Sequence, residues 1–118
     1  MMLESDAHEY YYRVIKARPA PLSKGAEQKL FAPGIFNIQA IGEQYMFLAA
    51  YRAKDWYEKH GKQRPNLGEC IEAANTGLMM AAAIFYKNKH APEIRFGDYC
   101  QFFIDKELAK ITHGTDTK

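Results

Sequence analysis

Cysteine is scarce in this sequence: Cys70 and Cys100 are the two, and they form no C-x-x-C pair. That disfavours a disulfide-stapled secreted fold and leaves a reduced, cytoplasmic setting as the simpler expectation. Long apolar runs are missing too, since none approaches the ~20 residues that cross a bilayer as a helix. The opening Met1-Met2-Leu3-Glu4-Ser5-Asp6 is acidic where a secretory signal would be basic, so neither export nor membrane association is expected. No sign of charge dominates. Sixteen Lys and Arg against 14 Asp and Glu give +2, too little by itself to mark a nucleic-acid binder.

Catalytic signatures are absent as well. There is no phosphate-binding glycine loop, dinucleotide fingerprint or hydrolase elbow. His8, His60, His90 and His113 are scattered and share no ligand spacing with either cysteine, which argues against zinc. His8-Glu9 reads as an exposed helix start rather than a dyad. The single tryptophan, Trp56, reads as packing near a helix end. The expectation is a non-enzyme without metal or cofactor.

What is present is an ordinary globular balance over 118 residues, 47% apolar and 25% charged, with no internal repeat or low-complexity tract. Such a chain buries roughly 65% of its unfolded surface, enough for one core. Breaks at Pro19 and Pro21, Pro33-Gly34, Gly61 to Pro65 and Ala91-Pro92 separate five segments that all read as helix. The first runs from Ser5 or Asp6, as N-cap, to Ala17, where Arg18-Pro19 ends it. The second starts at a Ser23 cap and reaches about Phe31. The third opens near Asn37 and stops at Gly61, with Ile38, Ile41, Tyr45 and Leu48 as its inward stripe. The fourth spans Asn66 to Phe85. Asn66 with Glu69 three residues later forms a reciprocal cap, and Ile71, Ala74, Leu78, Ala81 or Ala82, and Phe85 follow a 3.6 period. The fifth runs from Gly97-Asp98 to about Thr112 on Cys100, Ile104, Leu108 and Ile111. The fold class is all-α, a compact array of about five helices.

Helix five has more aromatic surface than one core face can use. With Cys100, Ile104 and Leu108 inward, Tyr99 and Phe102 lie off that axis and Phe103 at its edge. Lys106 and Lys110 extend the Tyr99–Phe102 side, and Lys87, Lys89, His90 and Arg95 precede Phe96. Rings interleaved with cations suit unstacked bases, because rings stack on bases while cations neutralise phosphates. The bland reading is that Tyr-x-x-Phe-Phe on a helix is core, with Glu93, Asp98, Asp105 and Glu107 diluting the patch.

The order of these features resembles region 2 of the bacterial sigma factors, the subunits that direct RNA polymerase to promoters. The stretch Glu69-Cys-Ile-Glu-Ala-Ala-Asn75-Thr-Gly77-Leu78-Met79 is similar to the family's acidic helix with its Asn-x-Gly-Leu-Met core. Phe85 and a basic loop follow. Then Phe96-Gly-Asp-Tyr99-Cys-Gln-Phe102-Phe103-Ile104 resembles the family's Phe-Ser-Thr-Tyr-Ala-x-Trp-Trp-Ile. At the start, Tyr11 to Ser23, with Pro21-Leu22-Ser23 and then Glu27 and Leu30, is similar to region 1.2. The matches divide the chain into a region 1.2-like segment over 1–35, a sigma region 2-like domain over 36–112 and a polar tail over 113–118, one compact domain overall.

The resemblance implies two surfaces. One docks on the clamp helices of the largest subunit of the RNA polymerase core through Glu69, Glu72, Asn75 and Met79. Capping alone also accounts for Glu69, and a close helix–helix contact accounts for Gly77. The other surface recognises and holds the melted minus-ten promoter DNA. Phe96, Tyr99, Phe102 and Phe103 would hold the non-template single strand, Lys87, Lys89 and Arg95 its phosphates, and Lys106 and Lys110 the duplex just upstream.

Several positions differ from the family pattern. Phe102-Phe103 replaces a tryptophan pair, Asp98 replaces a small hydroxyl residue, and Asp105 replaces an arginine. The residues after Thr112 leave no room for a helix-turn-helix reader of the minus-thirty-five element. The chain is thus similar either to a fragment of a longer sigma factor or to a minimal phage-type sigma-like factor whose upstream recognition comes from a co-activator. Two alternatives stand beside this expectation: a decoy or appropriator that binds polymerase without productive promoter opening, and a helical scaffold with no transcription role.

Overall fold

The computed structural model describes residues 3–60, 65–88 and 94–113. Its element order is α1 (Glu4–Lys16), α2 (Lys24–Leu30), α3 (Ile38–His60), α4 (Leu67–Asn88) and α5 (Phe96–His113), with no strand among the described residues. The expected all-α class with five helices is observed.

Most of the starts follow from local side chains. Ser23 Oγ accepts from Ala26 N–H at 3.1 Å, and Asn37 Oδ1 accepts from Gln39 and Ala40 N–H at 2.8 and 3.2 Å. At α4, Asn66 Oδ1 accepts from Glu69 N–H at 2.8 Å while Glu69 Oε1 accepts from Asn66 N–H at 2.9 Å. Such caps hold N–H groups that no helical carbonyl reaches, and each is worth ~1 kcal/mol. Helix α1 departs from expectation. It starts at Glu4, its N-cap is Leu3 without a side-chain bond, and neither Ser5 nor Asp6 caps it.

Helix α4 lies at the centre, packed against α5 and α3, and α1 packs on α3 and α4. Its entire expected stripe, Ile71, Ala74, Leu78, Ala81, Ala82 and Phe85, is buried, and so is Leu67. Burying each large apolar side chain contributes ~1.5–3 kcal/mol before entropy is counted. Small residues set the spacing. A Cβ on Gly77 would lie 2.7 Å from Ile104 Cα and from Phe103 O, so α4 and α5 touch backbone to side-chain position there. Gly42 of α3 likewise receives the Met79 side chain of α4. On α3, Ile41 and Tyr45 are buried and Leu48 packs against the core, but Ile38 is 41% exposed. Ile38 occupies the first position of the helix, one turn before the packed stripe begins, and so projects past the contact.

Helix α2 is tied in by one buried acid. Glu27, 4% exposed, accepts from Tyr45 O–H at 2.6 Å, from Phe96 N–H at 2.9 Å and from Arg95 Nε at 3.3 Å. Phe31, at the end of α2, packs against Phe85 and Phe96 with centroids 4.8 and 5.0 Å apart. No described helix is long and apolar enough to cross a membrane.

Candidate functional site

Helix α5 turns Cys100, Ile104 and Leu108 fully inward. A four-residue step then places Asp98, Phe102, Lys106 and Lys110 along its exposed side. Phe102 is 66% exposed, and the Lys106 ammonium lies 5.8 Å from its ring centroid. At that distance the cation lies within attraction of the ring face. Lys110 Nζ donates to Glu107 Oε2 at 2.9 Å.

Behind this stripe the rings form a chain into the core. Phe102 meets Phe103 edge-on at 5.7 Å, Phe103 meets Tyr99 at 5.2 Å, Tyr99 meets Phe85 at 5.1 Å, and Phe85 meets Phe96 at 5.3 Å. Tyr99 and Phe103 are half-buried, and burial raises the Tyr99 pKa. Phe96 is fully buried against Phe31, Tyr45 and Phe85. The expectation that Phe96 stacks on a base is therefore corrected: it is the inner end of the ring chain, and Phe102 is the outer end.

The expected cations do not assemble as one group among the described residues. Lys87 is exposed at the end of α4, and Lys89 lies outside the described residues. Arg95, its side chain 40% exposed, donates from Nε to Glu27 and from Nη2 to the Leu22 carbonyl at 2.9 Å. It joins α2 to the start of α5. Lys106 and Lys110 share the Phe102 stripe.

On α4, the four carried-over residues split by role. Glu69 is engaged in the cap, Asn75 Nδ2 donates to the Tyr10 hydroxyl of α1 at 3.3 Å, and Met79 leans on Gly42. Glu72 alone of the four is exposed, the other three being half-buried. It heads an exposed row that continues through Thr76, Met80, Ala83 and Lys87.

Two residues that matter to the site carry no local sequence signal. Arg52, in the middle of α3, donates to both oxygens of Asp105 at 2.7 and 2.5 Å and to Gln101 Oε1 at 2.8 Å. The contact with Asp105 raises the Arg52 pKa further. Glu27 is the other, and only its partners on α3 and α5 show its role. Trp56 packs as expected, donating to Thr112 Oγ1 at 2.7 Å. Both cysteines are buried and free, and burial pushes each thiol up to about 12. Neither is a reactive nucleophile at neutral pH. No protein family, no curated protein and no solved structure matches the chain.

Proposed function

We propose that the chain is a sigma-like transcription initiation module. It docks on the clamp helices of RNA polymerase through the exposed row of α4 headed by Glu72, and holds melted minus-ten promoter DNA on α5. The observation that carries the reading is the Phe102–Lys106–Lys110 stripe. It offers a solvent-facing ring with a cation against it and a second cation one turn on, at the position where the sequence resembles the family's DNA-melting helix. Stacking on such a ring is worth ~1–3 kcal/mol per base. A scaffold with no transcription role called for buried α5 aromatics, and the two-thirds exposure of Phe102 speaks against it. On α4, an acid at the head of an exposed row suits a basic partner surface.

The decoy reading has its own support. Asp98 is exposed at the start of the stripe, Arg95 is committed to Glu27, and Phe96 is buried. All three weaken the grip on DNA without touching α4. The experiment is binding to the isolated clamp helices, followed by promoter opening with the polymerase core. Glu72→Lys should abolish clamp binding, and Phe102→Ala should leave it intact while reducing opening about tenfold. Clamp binding without any opening selects the decoy. No clamp binding refutes both readings.

A further inference from the structure

Beside the exposed stripe, the C-terminal half of α5 carries two acids, Asp105 and Glu107. Glu107 is mostly covered and paired with Lys110. Asp105 is 39% exposed, directly before Lys106, and a free carboxylate there would repel any phosphate approaching Phe102 and the lysines. Its charge is met from another helix. Arg52 engages both Asp105 oxygens through Nε and Nη2 and spends Nη1 on Gln101, so every guanidinium nitrogen already has an internal acceptor. Arg52 is thus poorly placed to bind phosphate itself but well placed to cancel Asp105. Between Phe102 and Lys110, two lysines and two acids balance, and Arg52 tips the local charge to +1. Asp98 has no ion pair among the described residues, which leaves the other end of the stripe negative.

We propose that Arg52 is a positioning residue for nucleic-acid binding on α5. By occupying Asp105 it makes the Phe102–Lys110 half the phosphate-accepting half and directs the strand away from Asp98. This rests on the reading of α5 as a nucleic-acid surface. It assigns a role to a residue of α3 that never touches the strand.

The test is anisotropy of a fluorescein-labelled, A/T-rich single-stranded oligonucleotide at low salt, with thermal unfolding of each variant alongside. Arg52→Ala should weaken binding about threefold, and Asp105→Asn should tighten it by a similar factor, as expected for one screened charge near a phosphate. The double variant Arg52→Ala/Asp105→Asn has the wild-type local charge but no clamp. It should bind like wild type while melting at the lower temperature of Arg52→Ala. A double variant as weak as Arg52→Ala would show a clamp and nothing more, overturning the proposal, as would unchanged binding by Arg52→Ala. If folded wild type fails to bind, or binds with no loss for Phe102→Ala, the α5 reading fails and takes the proposal with it. Those outcomes differ from the first two, which leave α5 as the site.

Discussion

Helices α4 and α5 pack against each other along much of their length, yet they begin by different means. Helix α4 carries its own start: Asn66 and Glu69 cap each other's N–H groups three residues apart. A carboxylate from α1 adds to it, with Glu4 Oε1 accepting from Leu67 N–H at 3.1 Å. Helix α5 has no such local device among the described residues. The residue before it is Arg95, which has donors but no side-chain acceptor. Its first N–H is held instead by Glu27, from a helix 69 residues earlier in sequence. One start is encoded locally and the other is imported. The imported one is buried, and its carboxylate also serves Tyr45 and Arg95, so its loss strands three partners at once.

The strongest way to break this contrast is Glu27→Ala. Removing one member of a buried, charge-assisted network leaves the remaining groups unsatisfied, and unfolding in urea should show a loss of about 3 kcal/mol. Glu27→Gln should recover part of that, because its amide oxygen still accepts. Next is Gly77→Ala, which acts where both helices meet rather than where they start. Its Cβ would sit 2.7 Å from the Ile104 backbone, and the overpacking should outweigh the helix-propensity gain for a net cost of about 2 kcal/mol. Asn66→Ala should cost about 1 kcal/mol, since α4 keeps Glu4 and a well-buried stripe. Glu4→Ala should cost about 0.5 kcal/mol, its carboxylate being partly exposed.

The thiols sharpen the comparison further, because each helix has a buried cysteine within its first five residues. Proximity to a helix start lowers a thiol pKa, but here burial prevails and pushes both to about 12. Both should resist a thiol reagent in the native protein. Glu27→Ala should speed labelling of Cys100 selectively, and Asn66→Ala that of Cys70. Equal labelling in both variants would mean that the starts open together. The same shifts give an alkaline limit. From the ordinary thiol value of 9.0 up to about 12, the unfolded chain loses protons that the folded chain keeps. The thiols' contribution to stability is therefore fully present below pH 9 and is lost as pH rises through that window, measurable by urea midpoints.

The two starts also explain what could be read in the sequence. Asn66 with Glu69, Ser23 and Asn37 were legible because a cap and its target lie two or three residues apart. The α4 stripe was legible because it repeats every turn. Ile38 was misassigned because periodicity marks a face but not where the neighbouring helix stops. Glu27, Arg52 and the pairing of Arg95 with α2 were not legible, since each acts on a partner tens of residues away. Phe96 was misread for the same reason. Its burial depends on Phe31 and Tyr45, which belong to other helices, whereas the exposure of Phe102 follows from its own helix.

Trp56 gives these contacts an optical address. It is the chain's one tryptophan, and its indole N–H is held by Thr112 near the end of α5 while its ring lies 4.4 Å from the His60 ring at the end of α3. Excitation at the red edge of the absorption band selects this indole over the eight tyrosines. Its emission wavelength then reports whether the last turn of α5 is seated on α3, and loosening of that end shifts the light toward the red as water reaches the ring.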